Sequence, residues 1–201
     1  GEGTFYGRDY LVDNSTLIPR PETELLISII KDKKCDKLLD IGTGTGCVGI
    51  TASIEGIAQS VDLIDINKKA LSIAKKNSER FQIKNTSYFQ LDILNELPSC
   101  KYDIVVSNPP YISQNEYNLL DCEVKNYEPN YALTDKSDGY TFYKRYASIL
   151  NIILKNKGIA VFEISHFFSR DKLSEIFKNF SNIHFHKDLN GDYRALSIIN
   201  G

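Results

Sequence analysis

The chain has 201 residues, 42% of them apolar and 25% charged, a composition that suits one soluble globular domain burying about 70% of its unfolded surface. The 24 basic residues against 26 acidic ones leave a net charge of −2, so no overall field draws it to nucleic acid. No apolar run approaches the roughly 20 residues needed to cross a bilayer, and no signal peptide opens the chain, so no membrane partner is expected.

Residues 5–12 read as extended, and Leu17-Ile18-Pro19-Arg20-Pro21 as a stiff turn. Pro21 suits the first position of a helix, with Glu22 and Glu24 at its positive end and Leu25, Leu26, Ile29 and Ile30 on one face. Strand and helix patterns then alternate: strand 37–41, helix 46–55, strand 60–65, helix 67–78, strands 86–91 and 102–107, helix 139–154, strand 158–164 and helix 170–179. Two late strands, 183–188 and 194–199, flank the turn signal Asn190-Gly191. This alternation implies a doubly wound α/β sheet of about seven mostly parallel strands, with helices on both faces and an antiparallel last strand.

The four cysteines, Cys35, Cys47, Cys100 and Cys122, are scattered, which gives neither a zinc site nor a disulfide framework. No metal is expected, and reduced thiols point to the cytoplasm, or to an organellar matrix in a eukaryote. Methionine is absent, so Gly1-Glu2-Gly3 reads as a cut end with a domain missing upstream. With no repeat or linker, residues 1–201 read as a single domain, 1–20 as its extended or hairpin N-terminal segment, and a monomer is expected.

Leu38-Leu39-Asp40-Ile41 runs into Gly42-Thr43-Gly44-Thr45-Gly46, an apolar strand followed by a glycine loop. Such a loop turns sharply at the carboxyl edge of a doubly wound sheet and lets a ligand lie against bare backbone. Gly44-x-Gly46-x-x-Gly49 also satisfies the dinucleotide fingerprint, so an NAD(P)-dependent oxidoreductase or a loop that merely packs remains open here. Three acids at successive strand ends favour S-adenosylmethionine. Asp40 would meet its charged amino-acid end, Asp65 its ribose hydroxyls, and Asp92 with Ile93 its adenine, and Asn108 is also expected to touch the cofactor.

The fourth long strand ends in Asn108-Pro109-Pro110-Tyr111. The prolines stiffen the turn, so the Asn108 side-chain oxygen and the Pro109 carbonyl can each accept an N–H from a substrate –NH2, and Tyr111 offers a flat face to its planar group. A delocalised amide nitrogen is a poor nucleophile. Orientation by two fixed acceptors, with stabilisation of the charge developing on nitrogen, supplies what it lacks without a general base. A nucleic-acid adenine-N6 or guanine-N2 methyltransferase could use the same four residues, and a non-catalytic cofactor-binding module is a further alternative.

With these motifs the chain resembles the bacterial and organellar peptide chain release factor N5-glutamine methyltransferases. The likeness runs through Phe5-x-Gly7, Ile18-Pro19-Arg20-Pro21-Glu22-Thr23-Glu24, the glycine loop, Asn108-Pro109-Pro110-Tyr111, Glu123-Val124, Tyr127-Glu128-Pro129, Ala132-Leu133, Asp138-Gly139, Phe162-Glu163-Ile164 and Asp188-Leu189-x-Gly191-x-x-Arg194. It implies the class I S-adenosylmethionine-dependent methyltransferase fold, with a small N-terminal helical domain absent here. It also implies methylation of the glutamine in the Gly-Gly-Gln motif of class 1 release factors, yielding S-adenosylhomocysteine. Arg20 and Glu22 are expected to help shape the entrance for that protein substrate, with no direct nucleic-acid binding. Ile93 stands where some members carry an aromatic, and Tyr193 interrupts a usually charged ending.

Overall fold

Alternating side chains decide how the central sheet is covered. Along the strand Cys35–Ile41 (β3), Leu38 packs into one apolar cluster and its neighbour Leu39 into the other, so both faces of the strand are buried. The computed structural model describes residues 1–120 and 128–201. Cys122 and the quoted Glu123, Val124 and Tyr127 lie outside the described residues.

The chain opens with a hairpin, Glu2–Phe5 (β1) against Arg8–Leu11 (β2), one of the two forms the sequence left open for this segment. Tyr6 and Gly7, both at positive φ, make its turn. Pro21 does start helical structure, but Pro21–Thr23 is a 3-10 turn that leads into the α-helix Glu24–Ile30 (α1). Next come β3, Cys47–Ile54 (α2), Ala58–Asp65 (β4), Lys68–Arg80 (α3), Thr86–Gln90 (β5) and Tyr102–Ser107 (β6). Among the described residues, two short helices that the periodicity did not reveal follow, Gln114–Leu119 (α4) and Asn130–Leu133 (α5). The chain closes with Thr141–Ile153 (α6), Leu154–Glu163 (β7), Arg170–Ile176 (α7), Asn182–Lys187 (β8) and Tyr193–Ile199 (β9).

Seven strands form one sheet in the order β5-β4-β3-β6-β7-β9-β8, with β9 antiparallel to both neighbours and the rest parallel, as expected. Order reverses between β3 and β6, and the crevice at such a switch point is where doubly wound sheets bind ligands. Helices α1 and α2, with the hairpin, cover one face, and α6 and α7 the other. Strand β7 starts earlier than its apolar pattern suggests. A bulge opposite Tyr102 and Ile104 takes in the polar stretch after Leu154, with Lys157 at φ 60°.

Candidate active site

Strands β3, β4, β5 and β6 carry the residues at their carboxyl ends to one edge of the sheet, where they line a cavity of about 270 Å³. Asp40, Ile41 and the loop through Thr45 come from β3, Ile64, Asp65 and Ile66 from β4, Leu91, Asp92 and Ile93 from the end of β5, and Asn108, Pro109 and Pro110 from β6. Two outer segments close over it, one contributing Ser15, Thr16, Leu17, Pro19, Arg20 and Thr23, the other Tyr131, Ala132, Thr134 and Asp135. Tyr131 joins the two: its hydroxyl donates to the Ser15 carbonyl at 2.6 Å and accepts from the Asn67 side-chain amide.

The glycine loop owes its shape to backbone that only glycine adopts without strain. Gly42, Gly44 and Gly46 all have positive φ, and a Cβ on Gly46 would sit 2.6 Å from Ile50 Cδ1. Gly49 serves packing instead, since a Cβ there would fall 2.4 Å from Leu63 Cδ2 of β4. Asp40 holds the loop from beneath: its Oδ2 accepts from the Thr43 hydroxyl at 2.7 Å and the Gly49 amide at 3.0 Å. Burial pushes its carboxyl up to about 6, against the opposing pull of those two hydrogen bonds. Asn77, fully buried on α3, donates to the Thr45 carbonyl and exchanges hydrogen bonds with the Leu11 backbone, tying loop to hairpin.

Asp65 uses both oxygens on backbone, accepting from the Gly44 amide at 3.0 Å and the Asn67 amide at 2.8 Å. Each oxygen keeps a second lone pair, and the residue still faces the cavity. Burial raises its pKa as well. Asp92 caps its own turn through the Leu94 amide and the Asn95 side chain, while buried Ile93 presents an apolar wall and its carbonyl accepts from Arg145. These groups fit S-adenosylmethionine better than a dinucleotide. Acids at three strand ends match a cationic amino group and ribose hydroxyls, whereas Asp40 beneath the loop would repel a pyrophosphate.

The 108–111 loop is anchored by residues to which sequence assigned no role. Asn108 Nδ2 donates to Thr23 Oγ1 at 3.1 Å, and Thr23 Oγ1 donates to Glu163 Oε2 at 2.6 Å. The Tyr111 hydroxyl donates to Glu163 Oε1 at 3.1 Å, and its ring stands edge-on to Phe168. The cavity wall thus takes in Asn108, Pro109 and Pro110, while Tyr111 turns towards Glu163 behind them. Gly139, at φ +83°, lets the 138–140 turn approach within a distance where a Cβ would lie 2.5 Å from the Tyr111 carbonyl. Arg20 lines the cavity, but its guanidinium is held by buried Glu128 at 2.7 Å. Glu22 is not among the residues lining the cavity; its charge acts on Tyr111 and Glu163. Asp188 accepts from the Asn190 and Asp192 amides and from Arg194, so the Asp188–Arg194 pattern is a turn clamp.

The family model described as the methyltransferase small domain matches residues 20–123. The release factor glutamine methyltransferase of Bacillus subtilis is 36% identical over 99% of this chain and 73% of its own length. The chain belongs to the release factor glutamine methyltransferase family. The Fusobacterium nucleatum enzyme of the same name is 39% identical over 98% of this family member, which spans 57% of that relative's length. Solved structures bear out the fold. A methyltransferase from Pyrococcus furiosus superposes with a TM-score of 0.72 at 16% identity, covering 98% of this chain and 90% of that one. The T. thermophilus 16S rRNA N2 G1207 methyltransferase, solved with its methyl donor and guanosine, gives 0.69 at 15% identity over 100% of this chain and 50% of that one.

Proposed function

We propose that the chain transfers a methyl group from S-adenosylmethionine to the side-chain amide nitrogen of the glutamine in the Gly-Gly-Gln motif of class 1 peptide chain release factors, in the cytoplasm and as a monomer. When bound, S-adenosylmethionine supplies an electrophilic methyl group on a sulfonium centre. The loop 42–46 would hold its amino-acid end with Asp40 nearby, Asp65 its ribose, and Asp92 with Ile93 its adenine.

The orientation of Asn108 carries this reading. One N–H of its amide is given to Thr23, which turns Oδ1 away from Thr23 as an acceptor on a residue of the cavity wall, one residue from the Pro109 carbonyl. Two acceptors on a proline-stiffened turn grip the two N–H bonds of a primary amide and direct its nitrogen towards the methyl group. They also stabilise charge that develops on that nitrogen. No residue of the loop needs to remove a proton beforehand. Arg20 and Glu22, on the segment packed beside this loop, would shape the entrance for the substrate tip.

Incubating the chain with S-adenosylmethionine and either a class 1 release factor, duplex DNA or ribosomal RNA tests the proposal. Methyl transfer to the release factor alone is expected. Transfer to a nucleic acid in preference to the protein would refute it.

A further inference from the structure

Glu163 is a buried carboxylate behind the 108–111 loop, outside the cavity wall, with no part in the reaction proposed above. It ends β7 at 2% exposure and accepts from Thr23 through Oε2 and from Tyr111 through Oε1. Thr23 in turn accepts from Asn108. Three remote stretches, the 3-10 turn before α1, the loop after β6 and the end of β7, therefore meet in one hydrogen-bonded chain.

We infer that Glu163 and Thr23 are positioning residues that fix which end of the Asn108 amide faces the substrate. The inference rests on the reaction proposed at Asn108 and names what makes that residue an acceptor. An ionised carboxylate has no proton to give, so both its neighbours must donate. Thr23 has a single hydroxyl proton and spends it on Glu163. Its oxygen can then only accept from Asn108, which requires the amide NH2 to point at Thr23 and Oδ1 to point the other way. The two ends of an amide are close in size, so packing alone discriminates weakly between them. With a donor at position 163, Thr23 could accept from that side and turn its proton to Asn108. The flipped amide would then present NH2 to the substrate N–H, donor against donor. Tyr111 is held by the same carboxylate through its hydroxyl, which fixes the ring beside the loop.

The groups facing Glu163 leave it as the switchable member. Tyr111 bonds it directly, and the Tyr143 hydroxyl, the Cys47 thiol, the Glu22 carboxylate and the Arg194 guanidinium are close enough to couple to it electrostatically. Burial pushes the Cys47 thiol up to about 12 and both tyrosines up as well. Glu163 itself is pushed up to about 7, chiefly by burial and only partly offset by its hydrogen bonds from Thr23 and Tyr111. The direction of the whole chain of bonds thus depends on a proton exchanged near neutrality.

The test is steady-state methylation of a release factor by the wild-type chain and by Glu163→Gln, Thr23→Val and Thr23→Ser. Cofactor affinity and melting temperature are followed alongside, from about pH 5.5 to 8.5. Glu163→Gln and Thr23→Val should each lower kcat about 10–100-fold at the upper end, less than loss of an acceptor itself would cost. KM and cofactor affinity should stay within about threefold. Thr23→Ser, which keeps the hydroxyl, should restore kcat. The wild-type kcat should rise through pH of about 7, and this rise should vanish in Glu163→Gln. A kcat within about threefold of wild type in both Glu163→Gln and Thr23→Val, or a Thr23→Ser variant as impaired as Thr23→Val, overturns the inference. If Glu163→Gln does not fold, the contrast between valine and serine at position 23 still decides. A wild-type chain that binds S-adenosylmethionine but leaves the release factor unmethylated would instead bring down the proposed reaction, and this inference with it.

Discussion

On the proposed reaction, replacing Asn108 by alanine removes one acceptor from the reacting centre and little else. The residue is only partly buried, and its one hydrogen bond, to Thr23 at 3.1 Å, contributes about 0.5–1.5 kcal/mol to the fold. The Thr23 hydroxyl stays satisfied by Glu163, so no buried donor is orphaned. Asp40, Asp65 and the glycine loop are untouched, and cofactor affinity should change less than about threefold. At the reaction the loss is larger, because a fixed dipole aimed at developing charge is worth roughly 2.7–4 kcal/mol, or 10²–10³ in rate. Asn108→Asp keeps an acceptor but sets a second carboxylate against Thr23 beside Glu163, so impaired yet measurable turnover is expected. Single-turnover methylation with radiolabelled cofactor, at saturating enzyme and with binding checked by calorimetry, separates chemistry from affinity. A single-turnover rate for Asn108→Ala within about threefold of wild type would refute the acceptor role. So would a loss confined to cofactor binding.

Three further outcomes are expected. Asp65→Ala should weaken cofactor binding by about 1.5–3 kcal/mol for each ribose hydrogen bond lost, and unchanged affinity by calorimetry would remove Asp65 from the site. Gly139→Ala forces a Cβ towards the Tyr111 carbonyl at positive φ, a strain of about 1–2 kcal/mol before any clash; kcat should fall with the cofactor still bound. Burial raises the Glu163 carboxyl from 4.5 to about 7 and the Asp40 carboxyl from 3.8 to about 6, so the folded state holds these protons more tightly than the unfolded chain. Their stabilising contribution is full below about pH 4 and is lost as pH rises through about 7. For Glu163 it amounts to something on the order of 3 kcal/mol. Thermal melts without cofactor should therefore show stability falling over this window, less steeply in Glu163→Gln; an identical slope in the two proteins would count against the buried carboxyl.

Strand ends were legible because local chemistry marks them. Tyr102–Ser107 begins after charged Lys101 and stops at Asn108-Pro109, and the observed strand has those bounds. The acid before the glycine loop was visible as well, but not that Asp40 would spend one oxygen on Thr43 and Gly49. Helix α4 did carry a signal, since Ser113 and Glu116 form a capping box, yet its residues show no buried face from which a period could be read. Thr23 stands 85 residues from Asn108 and 140 from Glu163, and no spacing rule reaches that far. Only the closing of the sheet brings them together, which is why Asn108 could be singled out from sequence and its hydrogen-bond partners could not. The partner of Arg20 was out of reach of the sequence in the same way. Its guanidinium beside the cavity is paired with Glu128, from a segment more than a hundred residues downstream, which no local pattern indicates.

The most direct test is peptide mass spectrometry of a class 1 release factor after incubation with the chain and S-adenosylmethionine. One added methyl group is predicted, on the side-chain nitrogen of the glutamine in Gly-Gly-Gln. It should be missing when Asn108→Ala replaces the wild type for the same short time. A release factor left unmodified by a cofactor-bound wild-type chain, or a methyl group on a different residue, would contradict the account.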